Sequence, residues 1–392
     1  MRWRRRIGLA LLVLVAIGVA MVAWEPTRVG LQTAALLPNL LDAGPKPLNL
    51  FSAAPQRVPL PYREGVDGSE PELAELWLPA WASAERRAGG MLLVLGVNNV
   101  GRNHPVVARV ADGLARTGVA VLVPDSRVLL EGRLEVGEID GVVRAFELLA
   151  TRPEVDPERV GVVGFSVGGS LALLAAADPR IADDVAWVNA FGAFADASTY
   201  LAAVSAHAYR DRDGRPVPWM PSELAREVYL RFMLDQVDDR GDRHALEDAY
   251  GDAILAAERP VADRELRAGL DTDGARAVHD LLTAPSLDEA EATIADLDAG
   301  PRAFIDAISP VRHLGGLAAT VHLMHETQDH HVPYVESRVL ADALRAAGVT
   351  VAAHTEFRLF DHVQPDDIDL LAATPELVKL LLHVRTLLEA TL

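Results

Sequence analysis

The chain is expected to fold as an α/β protein with a mostly parallel sheet flanked by helices. Three observations predict this. From Arg57 onward, short apolar strand-like runs alternate with segments of helical spacing. Runs such as Met91–Leu95 and Val119–Val123 are unbroken apolar stretches, as expected of strands covered on both faces. One long interruption, from about Phe191 to Gly315, holds helical runs and lacks β-branched strand runs.

Met1 is followed by Arg2, Arg4, Arg5 and Arg6, with Trp3 between. Ile7–Trp24 then runs for 18 residues without a charge, and Glu25 and Pro26 end it. As a helix this run would span about 27 Å, enough for a bilayer core. The arginines place their own side in the cytoplasm. The expectation is an uncleaved single-pass anchor over 1–30, with a membrane as partner and the catalytic domain outside the cytoplasm. The alternative is a signal peptide cleaved near Ala20 or Ala23 and a secreted protein. The stretch 31–56, broken by Pro38, Gly44, Pro45 and Pro47, reads as a tether or a short amphipathic segment.

Arg57–Tyr62 and Glu72–Leu78 alternate on either side of a Gly/Asp turn and predict a hairpin. Pro105–Arg116 places Val106, Val110 and Leu114 on one helical face. Gly137–Ala150 does the same with Ile139, Val142, Val143 and Phe146. Val160–Val163 reads as a strand followed by a small-residue helix from Ser166 to Ala177, and Val185–Asn189 as the next strand. Beyond the interruption come a strand at Thr320–Met324, a helix at Tyr334–Ala347 and a strand within Val349–Leu359. Thr374 caps a last helix with Pro375 at its first position. Inside the interruption Ser222–Val237 and His244–Glu258 are helical. Arg231–Gly300 holds 18 acidic and 7 basic residues, read as solvated helix faces rather than a cation site. The expected organisation is a core over 57–192, a helical cap over 193–315 and core again over 316–392.

The 392 residues contain no cysteine, which excludes disulfides, thiolate metal sites and a cysteine nucleophile. A net charge of −19 repels phosphate backbones, so no nucleic-acid partner is expected.

The chemistry is expected at Gly164-Phe165-Ser166-Val167-Gly168, which follows a strand and opens a helix. This is the context of a nucleophile elbow, where tight backbone lifts a serine above the sheet edge. Gly164 and Gly168 supply the small neighbours such a turn needs. A serine hydroxyl needs a base and an orienting acid, and both follow in the chain order serine, acid, histidine. Asp329 lies in the loop after Thr320–Met324, and His362 in the loop after the last strand.

These residues resemble the α/β-hydrolase superfamily, and more closely its dienelactone-hydrolase and acyl-esterase-like branch. The resemblance covers about Arg57–Gly192 and Gly316–Leu392 and implies a helical cap inserted after the sixth strand. In that family the loop after the third strand reads His-Gly-X; here it is Leu95-Gly96-Val97, with Asn98 and Asn99 next. The resemblance makes the amides of Val97 and Val167 the oxyanion donors. Two positions depart from the pattern: Leu95 replaces the common histidine, and Glu326 a common glycine ahead of the acid.

Other candidates have blander readings. Asp361 and His104 read as surface residues, with a substrate contact the alternative for His104, and Asp125 as a turn residue tethering local backbone. His325, His330 and His331 beside Asp329 suggest a metal, but adjacent histidines without a helical pair favour ordinary loop residues. Tyr200, Tyr229, Tyr250, Phe232 and Trp219 line an acyl pocket or, more often in such insertions, form the insertion's own core. The expected function is hydrolysis of small-molecule or lipid carboxylic esters by Ser166, His362 and Asp329, with no cofactor and no metal. Acyl transfer by the same triad is an alternative, as is a catalytically silent binding module. A prolyl-oligopeptidase-type peptidase is a further one, although about sixty residues between the apolar run and the first central strand leave no room for a propeller.

Overall fold

The computed structural model describes residues 25–42, 44–65, 70–98, 100–361, 364–365 and 373–392. Eight strands form one sheet: β1 (Gln56–Arg63), β2 (Glu72–Leu78), β3 (Ala88–Val94), β4 (Ala120–Pro124), β5 (Val155–Phe165), β6 (Trp187–Phe191), β7 (Thr320–Glu326) and β8 (Val351–Phe357). Their order is β1-β2-β4-β3-β5-β6-β7-β8. β2 runs antiparallel to both β1 and β4, and every pairing from β4 to β8 is parallel. The hairpin at the sheet edge has the register Gln56↔Leu78. All seven residues of β3 and all five of β4 and β6 are buried, which is why these strands read as unbroken apolar runs. With helices on both faces, this is the α/β-hydrolase fold.

The helices around the sheet are α1 (Glu25–Leu40), α2 (Pro105–Thr117), α3 (Gly137–Ala150), α4 (Val167–Ala176), α5 (Val335–Ala346) and α6 (Thr374–Thr391). Strand side chains alternate between faces, and this splits the core in two. Leu92, Val94, Val160 and Val162 join α3, α4 and the inserted segment on one face. Met91, Leu93, Val163 and Phe191 join α1, α2 and α6 on the other. Between β6 and β7 the chain forms helices including Glu223–Asp235, Arg240–Leu255, Asp273–Leu282 and Leu287–Ala295. It also forms a small ribbon of Ala208–Arg210 against Pro216–Pro218, which sequence reading had not anticipated.

The membrane expectation is corrected. Among the described residues no helix is long and apolar enough to cross a membrane. Ile7–Trp24, on which that expectation rested, lies outside the described residues. With it go the membrane partner, the cytoplasmic N-terminus and the extracytoplasmic placement of the catalytic domain. The tether expectation also changes, because its first ten residues complete α1. That helix buries one stripe, Val29, Thr33 and Leu36, against α2 and α6. Arg109 Nε closes its C-terminal end on the Asn39 carbonyl at 2.9 Å, and Gln32 Nε2 reaches Thr117 O at 2.8 Å.

A polar chain crosses the second core. His383 of α6 places Nε2 2.8 Å from Asn189 Oδ1 and Nδ1 2.8 Å from Thr355 Oγ1. Burial, with His322 and His354 nearby, holds the His383 imidazole down at about 3, and burial holds His322 at about 4. Below an unfolded-state value of about 6.5 the unfolded chain binds protons that the folded one refuses, so stability falls on acidification. Between pH 6.5 and about 3 the expected loss through His383 is on the order of a few kcal/mol. Urea midpoints at pH 7 and 4.5 check it; the drop should be smaller in His383→Gln.

Candidate active site

Ser166 sits between the end of β5 and the start of α4 with φ 56° and ψ −131°. A non-glycine residue there is strained, and the surroundings impose the strain. The Ser166 amide donates to Phe191 O at 2.7 Å, and Gly169 N to Ser166 O at 2.8 Å. A Cβ on Gly164 would lie 2.2 Å from Gly168 O, and one on Gly168 would lie 2.5 Å from Val94 O. Both spaces are closed by backbone, so only glycine fits either side of this turn.

The loop after β3 presses on the same serine. A methyl on Gly96 would meet Ser166 Cβ at 2.9 Å. Asn98 staples this loop: its Nδ2 donates to Gly96 O at 2.8 Å, and its Oδ1 accepts from Val100 N at 3.1 Å and Gly101 N at 2.6 Å. Asp125 tethers the next turn by accepting from Arg102 N at 2.6 Å and pairing with the Arg102 guanidinium. Among the described residues the amides of Val97 and Val167 have no hydrogen-bond partner. Val167 is the first residue of α4, where the amide has no intrahelical acceptor. The sequence names Asn98 only as a neighbour; its role emerges once the loop is folded around it.

Asp329 is buried beyond β7. Its Oδ1 accepts from His331 N at 2.6 Å and Val332 N at 3.0 Å. His325 Nε2 lies 3.3 Å from Oδ2 and 3.1 Å from Val332 O. His325 is wholly buried, so it supports this loop from beneath and does not face substrate. The inserted segment holds the loop from above: Trp219 Nε1 donates to Asp329 O at 2.8 Å, and Ser222 N to His330 O at 2.6 Å. His362 lies outside the described residues, as do Asn99 and the side chain of Asp361.

Glu326, one of the two residues noted as departures in the sequence, is a clamp. Its Oε1 accepts from Gln328 N at 3.1 Å and its Oε2 from Leu359 N at 2.6 Å. It thereby ties the Asp329 loop to the segment three residues before His362. Glu326→Ala is expected to destabilise the fold by about 1–3 kcal/mol, because it strands a buried amide. Ester turnover should fall with it; urea titration and a p-nitrophenyl ester assay check both.

Among the described residues, a cavity of about 430 Å³ is bordered by Ser166, Val97, Asn98, His104 and His331 together with many apolar side chains. His104 is therefore a cavity residue and not only a helix cap. Of the insertion, Leu224 reaches this cavity. Tyr229, Tyr250 and Trp219 are buried in the insertion's own core, and Phe232 packs on Phe304 at 5.1 Å. Tyr200 stacks on Phe194 at 5.4 Å, and burial with the Asp329 and Glu336 carboxylates pushes its hydroxyl up.

Residues 93–208 match the dienelactone hydrolase family. Among solved structures the chain is similar to a candidate dipeptidyl aminopeptidase IV from Bacteroides ovatus, at 14% identity and a TM-score of 0.50. That similarity covers 86% of this chain but 36% of that one, so the chain spans about a third of its length. The chain is also similar to a hyperthermophilic esterase from the archaeon Pyrobaculum calidifontis, at 14% identity, 94% and 91% coverage and a TM-score of 0.48. A third is brefeldin A esterase, a bacterial homologue of human hormone-sensitive lipase, at 16% identity, 95% and 87% coverage and a TM-score of 0.49. Comparison with curated proteins gave no match. At these identities the structural likeness speaks to the fold alone. The reading as a hydrolase rests on the match of residues 93–208 to the dienelactone hydrolase family.

Proposed function

We propose that the chain is a serine hydrolase that cleaves carboxylic esters through an acyl-enzyme. The observation that carries this reading is Ser166 on strained left-handed backbone, with two amides, Val97 and Val167, that have no partner among the described residues. Ser166 Oγ attacks the ester carbonyl carbon while His362 takes its proton. The carbonyl oxygen gathers negative charge between the two amides, where preorganised donors are worth about 10²–10³-fold each. The C–O bond to the alcohol breaks, and His362 returns the proton to the leaving oxygen. Water, deprotonated by His362, then attacks the acyl carbon, the bond to Ser166 Oγ breaks, His362 returns the proton to Oγ, and the acid leaves. Asp329 holds His362 in the tautomer that accepts the serine proton. The inserted segment acts as a cap that shapes the site.

Fluorophosphonate labelling tests this, with the modified residue located by peptide mass spectrometry. Labelling at Ser166 that is lost in His362→Ala is the expected result. No labelling of folded protein would overturn the reading in favour of a silent binding module. Labelling with turnover of peptide p-nitroanilides but not esters would shift it to a peptidase, and product formation only with an added alcohol to acyl transfer.

A further inference from the structure

The cavity beside Ser166 does not stop at the rim of the sheet. It runs down the α2/α6 face, under those two helices, into the second core. Its wall on β3 extends from Leu95 to Met91, a depth of about 13 Å at the strand rise. Its wall on α6 extends from Leu380 to Leu388, about 12 Å at the helix rise. Leu40 of α1 and Leu114 of α2 also border it. The polar lining consists of Asn98, His104, Ser166 and His331, plus Asn189, whose oxygen is already engaged by His383. Close-packed protein cores hold few voids larger than a water molecule, so an apolar space this large beside Ser166 sets this face apart from an ordinary core.

We infer that this tunnel receives the acyl chain of the substrate, so the preferred esters are those of medium-chain fatty acids. The inference rests on the serine-hydrolase reading, because it is Ser166 at the cavity edge that gives the tunnel a reacting carbonyl to hold. The depth of about 12–13 Å along β3 and α6 sets the length of extended chain that the cavity can take. An acyl chain of about eight to ten carbons therefore fits, with its carbonyl at Ser166 and its methyl end toward Leu40 and Leu388. Short acids leave the void unfilled, and longer ones overrun it.

The test is the chain-length profile of p-nitrophenyl esters from acetate to palmitate. kcat/KM is expected to rise by up to about fourfold per added methylene and to peak at octanoate or decanoate. Val110→Phe on α2 and Val384→Phe on α6 each fill part of the tunnel. Each is expected to lower the decanoate-to-acetate ratio of kcat/KM at least tenfold and to shorten the optimum, with the melting midpoint showing that each folds. Decanoic acid is also expected to bind folded Ser166→Ala one-to-one by native mass spectrometry, and less well once Val384→Phe is added. A profile that is flat or falls from acetate, in enzyme labelled at Ser166, would overturn the tunnel and leave the hydrolase reading standing. If Ser166 is not labelled and no ester turns over, the hydrolase reading fails. Decanoic acid binding to Ser166→Ala then decides the tunnel alone: binding weakened by Val384→Phe upholds it, and no binding overturns it.

Discussion

Ser166→Ala is expected to lower kcat for p-nitrophenyl esters by at least about 10⁴-fold, the scale seen when a triad nucleophile is removed. The size follows from the mechanism. Without the hydroxyl no acyl-enzyme forms, and His362 has no serine proton to take. Binding and the oxyanion amides are untouched, so a residual rate above the uncatalysed one should survive. The side chain makes no hydrogen bond with a described residue, so the melting midpoint should stay close to that of the parent. Steady-state kinetics and a thermal melt on the same preparation check both halves. Retained turnover would place the nucleophile elsewhere, whatever the backbone at Ser166 looks like.

Gly164→Ala is expected to be the most damaging single-methyl addition near the site, costing on the order of 3 kcal/mol or more. The new Cβ would sit 2.2 Å from Gly168 O, 2.5 Å from Gly168 C and 2.5 Å from Gly169 Cα. All three are backbone atoms of the turn that holds Ser166, so no side chain can swing aside to relieve the overlap. Relief requires α4 to move away from β5, which also displaces the Val167 amide. Stability and turnover should therefore fall together. Gly300→Ala is the control: it lies in the helix Ala299–Ala307 with nothing within 4 Å of the added methyl. It should be neutral or stabilising by up to about 1 kcal/mol, the helix-propensity gain of alanine over glycine. Urea titrations of the two variants separate packing from composition.

Much of the sheet was legible because its central strands contain short uninterrupted apolar runs, such as Met91–Val94 and Ala120–Val123. The elbow was legible because its geometry is encoded within five residues, Gly164 to Gly168. α1 was not, since Pro38, Gly44, Pro45 and Pro47 dominate its neighbourhood as chain breakers. Its buried stripe, Val29, Thr33 and Leu36, acquires meaning only against α2 and α6. The membrane expectation was drawn from one apolar run, whereas no described helix is long and apolar enough to cross a membrane. Glu326 was visible as an unusual residue, but its partner Leu359 is 33 positions away and no local pattern connects them.

What the sequence determined by itself was local: the order of strands and helices, the serine turn, and the order of Ser166, Asp329 and His362 along the chain. These depend on hydrophobic period and on backbone sterics over a few residues, and both are written in consecutive positions. What only the tertiary structure decided was the space between elements. The tunnel wall combines Leu40, Met91, Val163, Met324 and Leu388, five residues spread over nearly the whole chain. Whether such residues meet in a sealed core or leave a void depends on how two helices lie across one sheet face. That is a property of packing, and no stretch of sequence carries it alone.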